Sequence, residues 1–206
     1  MQALAPQVEE AIGEARFFRV VLVAEDRQRQ GLVQTMSVTE NMTLAGLKAY
    51  LKGPFLSADQ EKGTVQDYIN KLVIKVSDAR QSVMSLSGGN QQKVVIAKSL
   101  LTEPKVLMMD EPTRGVDVGA KVDIFKTMSQ IATRNRAVLF TSSELKEVTE
   151  MSDRVLVLAK GKITADLRGA NITNDAILNA CVADIPNGKQ KSPHDNHDLN
   201  ISSSSL

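Results

Sequence analysis

Cysteine is nearly absent from this chain of 206 residues. Cys181 is the only one, so no internal disulfide can form, and the chain suits a reducing compartment or is indifferent to redox state. Long apolar runs are missing as well: no stretch reaches the roughly 20 apolar residues that a membrane-spanning helix needs. Nor does Met1 open the charged-then-apolar pattern of a signal segment. Neither sign of charge is in excess, since 25 basic against 24 acidic side chains leave a formal charge of +1. With no basic stripe, the sequence offers no electrostatic footprint for nucleic acid. Histidine is scarce, and His194 and His197, alone in a polar segment, make no metal site. One motif is missing too. A phosphate-cradling loop of the form G-x-x-x-x-G-K-[ST] occurs nowhere; Gly161-Lys162 and Gly188-Lys189 lack both the upstream glycine and the following hydroxyl.

What is present is long enough, and with 42% hydrophobic residues apolar enough, to bury one substantial core. Met1 to Arg16 is a weak helix candidate. Phe17 to Ala24 is an apolar run that reads as a buried strand, followed by a polar loop from Glu25 to Val33. Ser37-Val38-Thr39-Glu40 is a capping-box pattern that opens a helix to about Leu51. Ser57-Ala58-Asp59-Gln60 offers a second, leading to a helix from Val65 to Ile74 after Gly63. Ser87 starts a third helix that runs to Leu101 and is stopped by Pro104. From Lys105 the pattern becomes strand to Met109, helix from about Val118 to Thr133, strand from Ala137 to Thr141, helix from Glu144 to Met151, and strand from Arg154 to Ala159. Strands alternating with helices predict a parallel sheet covered on both faces. Cys181 reads as a small buried residue on the last helix. Asp184 to Leu206, polar and ending in four serines, reads as a disordered tail.

Two motifs carry chemistry. In Leu86-Ser87-Gly88-Gly89-Asn90-Gln91-Gln92-Lys93, Ser87 and two glycines open a helix whose free backbone N–H groups can receive a phosphate. In Val106-Leu107-Met108-Met109-Asp110-Glu111-Pro112, an apolar strand ends in two carboxylates, one able to serve Mg²⁺ and one able to orient water. Either alone has a bland explanation: an ordinary helix cap, or a strand that stops somewhere polar. Their order and spacing together, with Thr113-Arg114-Gly115-Val116-Asp117-Val118-Gly119-Ala120-Lys121 beyond, resemble the ABC-type ATPase. The run Asn90-Gln91-Gln92-Lys93 narrows this: it looks like the second nucleotide-binding half of the fused ATPase subunits that drive bacterial monosaccharide importers of the ribose and galactose type.

The resemblance implies a P-loop NTPase-type parallel α/β sheet, incomplete, with an inserted all-helical subdomain over about residues 35 to 104. Residues 1 to 183 would form the partial nucleotide-binding domain and 184 to 206 its tail. ATP and Mg²⁺ are the implied cofactors. Asp110 would join the Mg²⁺ shell and Glu111 would polarise the attacking water. Asp117 would sit in the loop crossing the interface between halves. Ser87, Gly88, Gly89, Asn90 and Gln91 would reach the γ-phosphate held by the partner half. Two positions depart from the general pattern: Glu25 stands where a glutamine usually senses that phosphate, and Ser143 where a switch histidine usually stands. Serine cannot become a cation as imidazole can. The implied partners are another nucleotide-binding half, a membrane permease and, indirectly, a periplasmic sugar-binding protein. The implied location is peripheral, on the cytoplasmic face of the inner membrane. Since the resemblance runs from about Ala24 to Ala183 without a phosphate loop, the chain is expected to be a fragment or a truncated product. Two alternatives stand beside transport: a non-catalytic fragment that only docks a permease or partner half, and a soluble ABC ATPase acting without a permease.

Overall fold

The computed structural model describes residues 19–52, 54–133 and 136–182. The helix expected over Met1 to Arg16 and the tail from Asp184 lie outside them. The first strand, β1 (Val20–Val23), runs into one wide helical turn, Arg27–Gly31, which Asp26 caps by accepting from the N–H groups of Gln28 and Arg29. This replaces the expected polar loop, because Asp26 supplies the missing acceptors of a helix start. The capping box at Ser37 forms as its sequence predicts: Ser37 Oγ accepts from the Glu40 N–H, and Glu40 reaches back to the Ser37 N–H at 2.7 Å. Helix α1 (Val38–Thr43) then tightens into 3₁₀ geometry over Leu44–Tyr50.

Two residues each of β2 (Leu51–Lys52) and β3 (Phe55–Leu56) pair antiparallel, so the segment between β1 and the third helix is not all-helical. Helix α2 (Ala58–Lys71) runs without a break through Gly63, and Ser57 precedes it without a side-chain cap bond. A 3₁₀ turn, Val83–Ser85, leads to α3 (Gly88–Leu100). Beyond Pro104 come β4 (Val106–Asp110), α4 (Val118–Ala132), β5 (Ala137–Thr141) and α5 (Leu145–Met151). Strand β6 (Arg154–Ala159), β7 (Lys162–Arg168) and α6 (Asn174–Val182) complete the described chain.

Parallel pairing in the order β1-β4-β5 makes the central sheet, with Leu22, Met108 and Leu139 in one register row. Its alternate row, with Val23, Leu107 and Met109 buried, belongs to the main core together with Val94, Ile96 and Leu100 of α3 and Ile124 and Met128 of α4. The opposite row is open among the described residues: Leu22 is 61% and Leu139 50% exposed. Among the described residues the sheet is therefore not covered on both faces as the alternation of strands and helices predicts. Strand β6 also leaves it. It pairs antiparallel with β7 across a turn at Lys160-Gly161, both with positive φ, the backbone of a tight hairpin turn. A second, smaller core forms there from Val155, Val157, Ile177 and Ala180. Cys181, next to that core, points outward and is exposed, contrary to the buried position expected for it.

Candidate functional site

Parallel strands bring their C-terminal ends to one edge, and there the two motif carboxylates meet the end of β5. The Thr141 hydroxyl accepts weakly from the Glu111 N–H (3.3 Å) and donates to Asp110 Oδ1 (2.6 Å), so one side chain fixes both members of the pair. The backbone N–H of Glu111 also donates to the Thr141 carbonyl at 3.2 Å. Glu111 holds φ at +47°, the left-handed region that a side chain with a Cβ enters at a cost. That turn swings its carboxylate off the strand axis, where Ser143 Oγ donates to Oε2 at 3.2 Å. Thus Asp110, Glu111 and Ser143, predicted separately from the sequence, share one edge.

Helix α3 presents the second motif. Ser87 is the exposed N-cap, yet its hydroxyl caps no backbone N–H; Oγ instead accepts from Asn90 Nδ2 at 2.9 Å, while Asn90 Oδ1 accepts from the Lys75 N–H at 2.8 Å. Of the first-turn N–H groups of α3, orphaned by helix geometry, those of Gly88, Gly89 and Asn90 face the cap. The two glycines serve packing. A Cβ on Gly88 would lie 2.7 Å from Arg27 Nη2 and 3.1 Å from the Gly115 carbonyl; one on Gly89 would lie 2.3 Å from the Ala120 Cβ. Gly89 is buried where α3 crosses the start of α4. The rest of the run points inward: Gln91 Nε2 donates to the Val83 carbonyl, Gln92 is buried, and Lys93, 3% exposed, donates to the Val73 carbonyl (3.0 Å) and to Asp123 Oδ2 (2.9 Å). That bond holds the Asp123 carboxyl below its ordinary value.

Arg27, which no sequence signal singled out, joins the two motifs. Its guanidinium donates to the carbonyls of Arg114 (2.9 Å) and Gly115 (3.2 Å) while lying against Gly88. Burial pushes it below its ordinary value, with Asp26 opposing. Glu25 is placed beside it but pairs with Arg114. Asp117 caps α4 by accepting from the Ala120 N–H at 2.9 Å, so its carboxylate is engaged within its own element. A further group escaped sequence reading altogether. Glu147 of α5, buried, accepts from Thr113, Ser142 and Lys121, three residues on the segments that follow β4 and β5. Within an amphipathic helix pattern a single glutamate carries no distinguishing mark.

Among the described residues, no three His, Cys, Asp or Glu side chains gather into a metal cage. Asp110 is a lone exposed carboxylate on a hydroxyl support. That donor set fits Mg²⁺, which takes one or two carboxylates and completes its octahedron with water and phosphate oxygens. No described helix is long and apolar enough to cross a membrane.

Comparison with known proteins agrees with this geometry. A family model described as ABC transporter matches residues 12–114, half of the chain, and begins upstream of the Ala24 boundary drawn from the motifs. The xylose import ATP-binding protein XylG of Pseudomonas fluorescens is 43% identical over 179 residues, 87% of this chain and 33% of that protein. A putative ribose/galactose/methyl galactoside import ATP-binding protein of Rhizobium etli is 46% identical over 159 residues, 77% of this chain and 30% of its own length. The chain thus spans about a third of the length of the curated relatives it matches. Among solved structures, an ATP-binding cassette of an ABC transporter aligns with a TM-score of 0.65 at 22% identity, covering 80% of this chain and 69% of the other. A dimeric cassette in a post-hydrolysis state, bound to ADP and Pi, aligns at 0.62 with 19% identity, covering 78% and 67%. These two likenesses establish the shared fold.

Proposed function

The chain belongs to the ABC transporter family, and from that premise we propose that it is part of the ATP-binding subunit of a carbohydrate importer, corresponding to the second of two nucleotide-binding halves. The observation that carries this reading is the meeting of Asp110, Glu111, Thr141 and Ser143 at one sheet edge, with Arg27 tying that edge to the N-terminus of α3. Identity of 43–46% to sugar-import subunits supports the substrate class. On this reading Asp110 holds Mg²⁺, which when bound neutralises charge on the transferring phosphoryl group. Glu111, turned off its strand by its left-handed backbone, orients and polarises water. Ser87 and the N–H groups of Gly88, Gly89 and Asn90 face the γ-phosphate held by the other half, helped by the helix dipole, whereas Gln91, expected to join them, is buried with its N–H on the Ser87 carbonyl (2.9 Å). Asp117 lies at the junction between halves, Glu25 takes the place of the phosphate-sensing glutamine, and residues 35 to 104 form the subdomain that meets the permease. The protein sits peripherally on the cytoplasmic membrane face, and a periplasmic binding protein delivers the sugar.

Ser87→Arg tests this. Ser87 is exposed and its side chain bonds only Asn90 among the described residues, so the variant folds, while its bulk blocks closure over the nucleotide. In the importer assembled with its permease, ATP-driven sugar uptake is expected to fall to background. Uptake at the wild-type rate would reduce the motif to a helix cap.

A second reading, a fragment that docks without hydrolysing, is favoured by the lack of any G-x-x-x-x-G-K-[ST] run in the 206 residues. Without the backbone donors of such a loop, little offsets the desolvation of a triphosphate. The chain alone is expected to bind Mg²⁺-ATP more weakly than about 100 μM, roughly 5.5 kcal/mol at 1 M standard state; micromolar binding in calorimetry would contradict this. A soluble ABC ATPase acting without a permease is disfavoured by the same identity to import subunits.

A further inference from the structure

Three segments converge on one buried carboxylate. Glu147, 6% exposed, lies on α5, four residues beyond Ser143. Its Oε2 accepts from Thr113 Oγ1 at 2.8 Å and from Ser142 Oγ at 2.6 Å, and its Oε1 accepts from Lys121 Nζ at 3.0 Å. Thr113, 2% exposed, stands two residues after Glu111; Ser142 stands immediately before Ser143; Lys121 belongs to the first turn of α4, where its N–H closes on the Asp117 carbonyl. Glu147 thereby grips the segments that carry Glu111, Ser143 and Asp117 without touching any of them.

We propose that Glu147 is a positioning residue that holds the segments after β4 and β5 at one separation, and so sets the 3.2 Å contact between Ser143 and the Glu111 carboxylate. This rests on the reading of Glu111 as the water-orienting group.

Several features separate this role from ordinary docking of α5. The Ser142 hydroxyl also accepts from the Glu144 N–H at 3.1 Å, which directs its single proton toward the Glu147 carboxylate. Lys121 has a second carboxylate in Glu144, so its charge alone does not require Glu147. The left-handed turn at Glu111 needs over-determined surroundings to persist. Thr141 anchors the strand side of that turn, and the Thr113–Glu147 bond anchors its far side. Burial works to raise the Glu147 carboxyl, and the bonds from Ser142, Thr113 and Lys121 overcome it, leaving it below the ordinary carboxylate value and ionised at neutral pH. An ionised acceptor accounts for all three donors at once.

The test compares Glu147→Gln, Thr113→Val and Thr113→Ser. The amide of Glu147→Gln keeps the shape but turns a donor toward one of three donors. Hydrogen exchange in the 206-residue chain is read first at the amides of Glu111 and Arg114, which bond to Thr141 and Glu111. Exchange there is expected to speed up at least tenfold in Glu147→Gln and Thr113→Val, to stay within twofold in Thr113→Ser, and to stay unchanged in the β6–β7 hairpin. The double variant Glu147→Gln/Thr113→Val is expected to match Glu147→Gln alone. In the assembled importer, the same two substitutions lower kcat for ATP at least tenfold with KM within threefold, because binding groups are untouched. Unchanged exchange at Glu111 and Arg114, or equal loss in Thr113→Ser and Thr113→Val, would overturn the proposal. Should Glu147→Gln fail to fold, the Thr113 pair decides it. If the wild-type assembly turns over no ATP, the functional reading fails, while the exchange measurement still decides whether Glu147 holds the two segments.

Discussion

The carboxylate of Glu111 is held from two sides, by its own left-handed backbone and by the Ser143 hydroxyl. Glu111→Gln keeps that shape and removes the charge, so in an ATP-hydrolysing assembly it is expected to slow turnover at this site by at least about 100-fold while changing nucleotide affinity little. Single-turnover kinetics beside equilibrium binding measures both; unchanged turnover would make Glu111 a strand-end residue only. Gly89 teaches a different lesson. Its sequence context reads as a surface cap that could take an aspartate and remain folded, yet an added Cβ would fall 2.3 Å from the Ala120 Cβ. A methyl group there has no flexible neighbour to displace, so α3 and α4 must separate. Gly89→Ala is expected to lower stability by about 1–3 kcal/mol, the range for overpacking a tight contact, as read by denaturant unfolding. Loss of function in any Gly89 variant therefore mixes folding with phosphate recognition, which is why Ser87 is the better probe.

At the scale of elements, α3 is the part that joins chemistry to scaffold. Its apolar residues Val94, Ile96 and Leu100 belong to the main core with the buried row of the sheet, while its N-cap, Ser87, is exposed. Lys93 steadies it from the side, bonding Asp123 on α4 and the carbonyl of Val73 just past α2. A hydrogen bond to a charged group contributes about 1.5–3 kcal/mol, and Asp123, 42% exposed, remains solvated when its partner is lost. Lys93→Met, which keeps the stem and removes the ammonium, is accordingly expected to cost roughly 2 kcal/mol, and not the larger penalty of an abandoned buried charge. Urea unfolding checks the size. A cost near zero would mean that the stem, and not the ion pair, secures the helix. The Asn90-Gln91-Gln92-Lys93 run, which the sequence offers only as a family mark, thus has a local reason: each side chain except Gln92 bonds a neighbouring segment, and Gln92 fills the interior.

For the molecule as a whole, acid should be the condition that weakens the fold. The carboxyls of Glu147, Asp123 and Asp166 all lie below their ordinary values, and the Arg80 guanidinium beside Asp78 pulls that carboxyl down to about 2. A carboxyl lowered by folding contributes stability that is fully present above its unfolded value, about 4, and is lost as pH falls toward the folded value, because the unfolded chain then binds more protons. The thermal midpoint is therefore expected to be level from about pH 6 to 8 and to fall steadily below about pH 4.5. A midpoint constant down to pH 3 in circular dichroism would contradict it. Much of this architecture was legible in advance. Strand β5 and strand β6 fall where apolar runs between polar breaks put them, the capping box at Ser37 forms, and Pro104 ends α3, since these follow from side-chain chemistry within a few residues. Local pattern also marked Asp110, Glu111 and Ser87 as residues worth watching. It did not say that β6 would leave the sheet for β7, because a tight hairpin turn competes with parallel pairing only when both partners exist in space. Nor did it reveal Arg27 against Gly88, Ala120 against Gly89, or Glu147 beneath Thr113 and Ser142. Arg27 and Gly88 stand 61 positions apart in the chain, Gly89 and Ala120 31, and Thr113 and Glu147 34, and Glu147 is a charge that looks like ordinary helix surface. Distance along the chain carries no signal for such pairs; only packing, which excludes water and forces each buried donor and acceptor to find a partner, decides them.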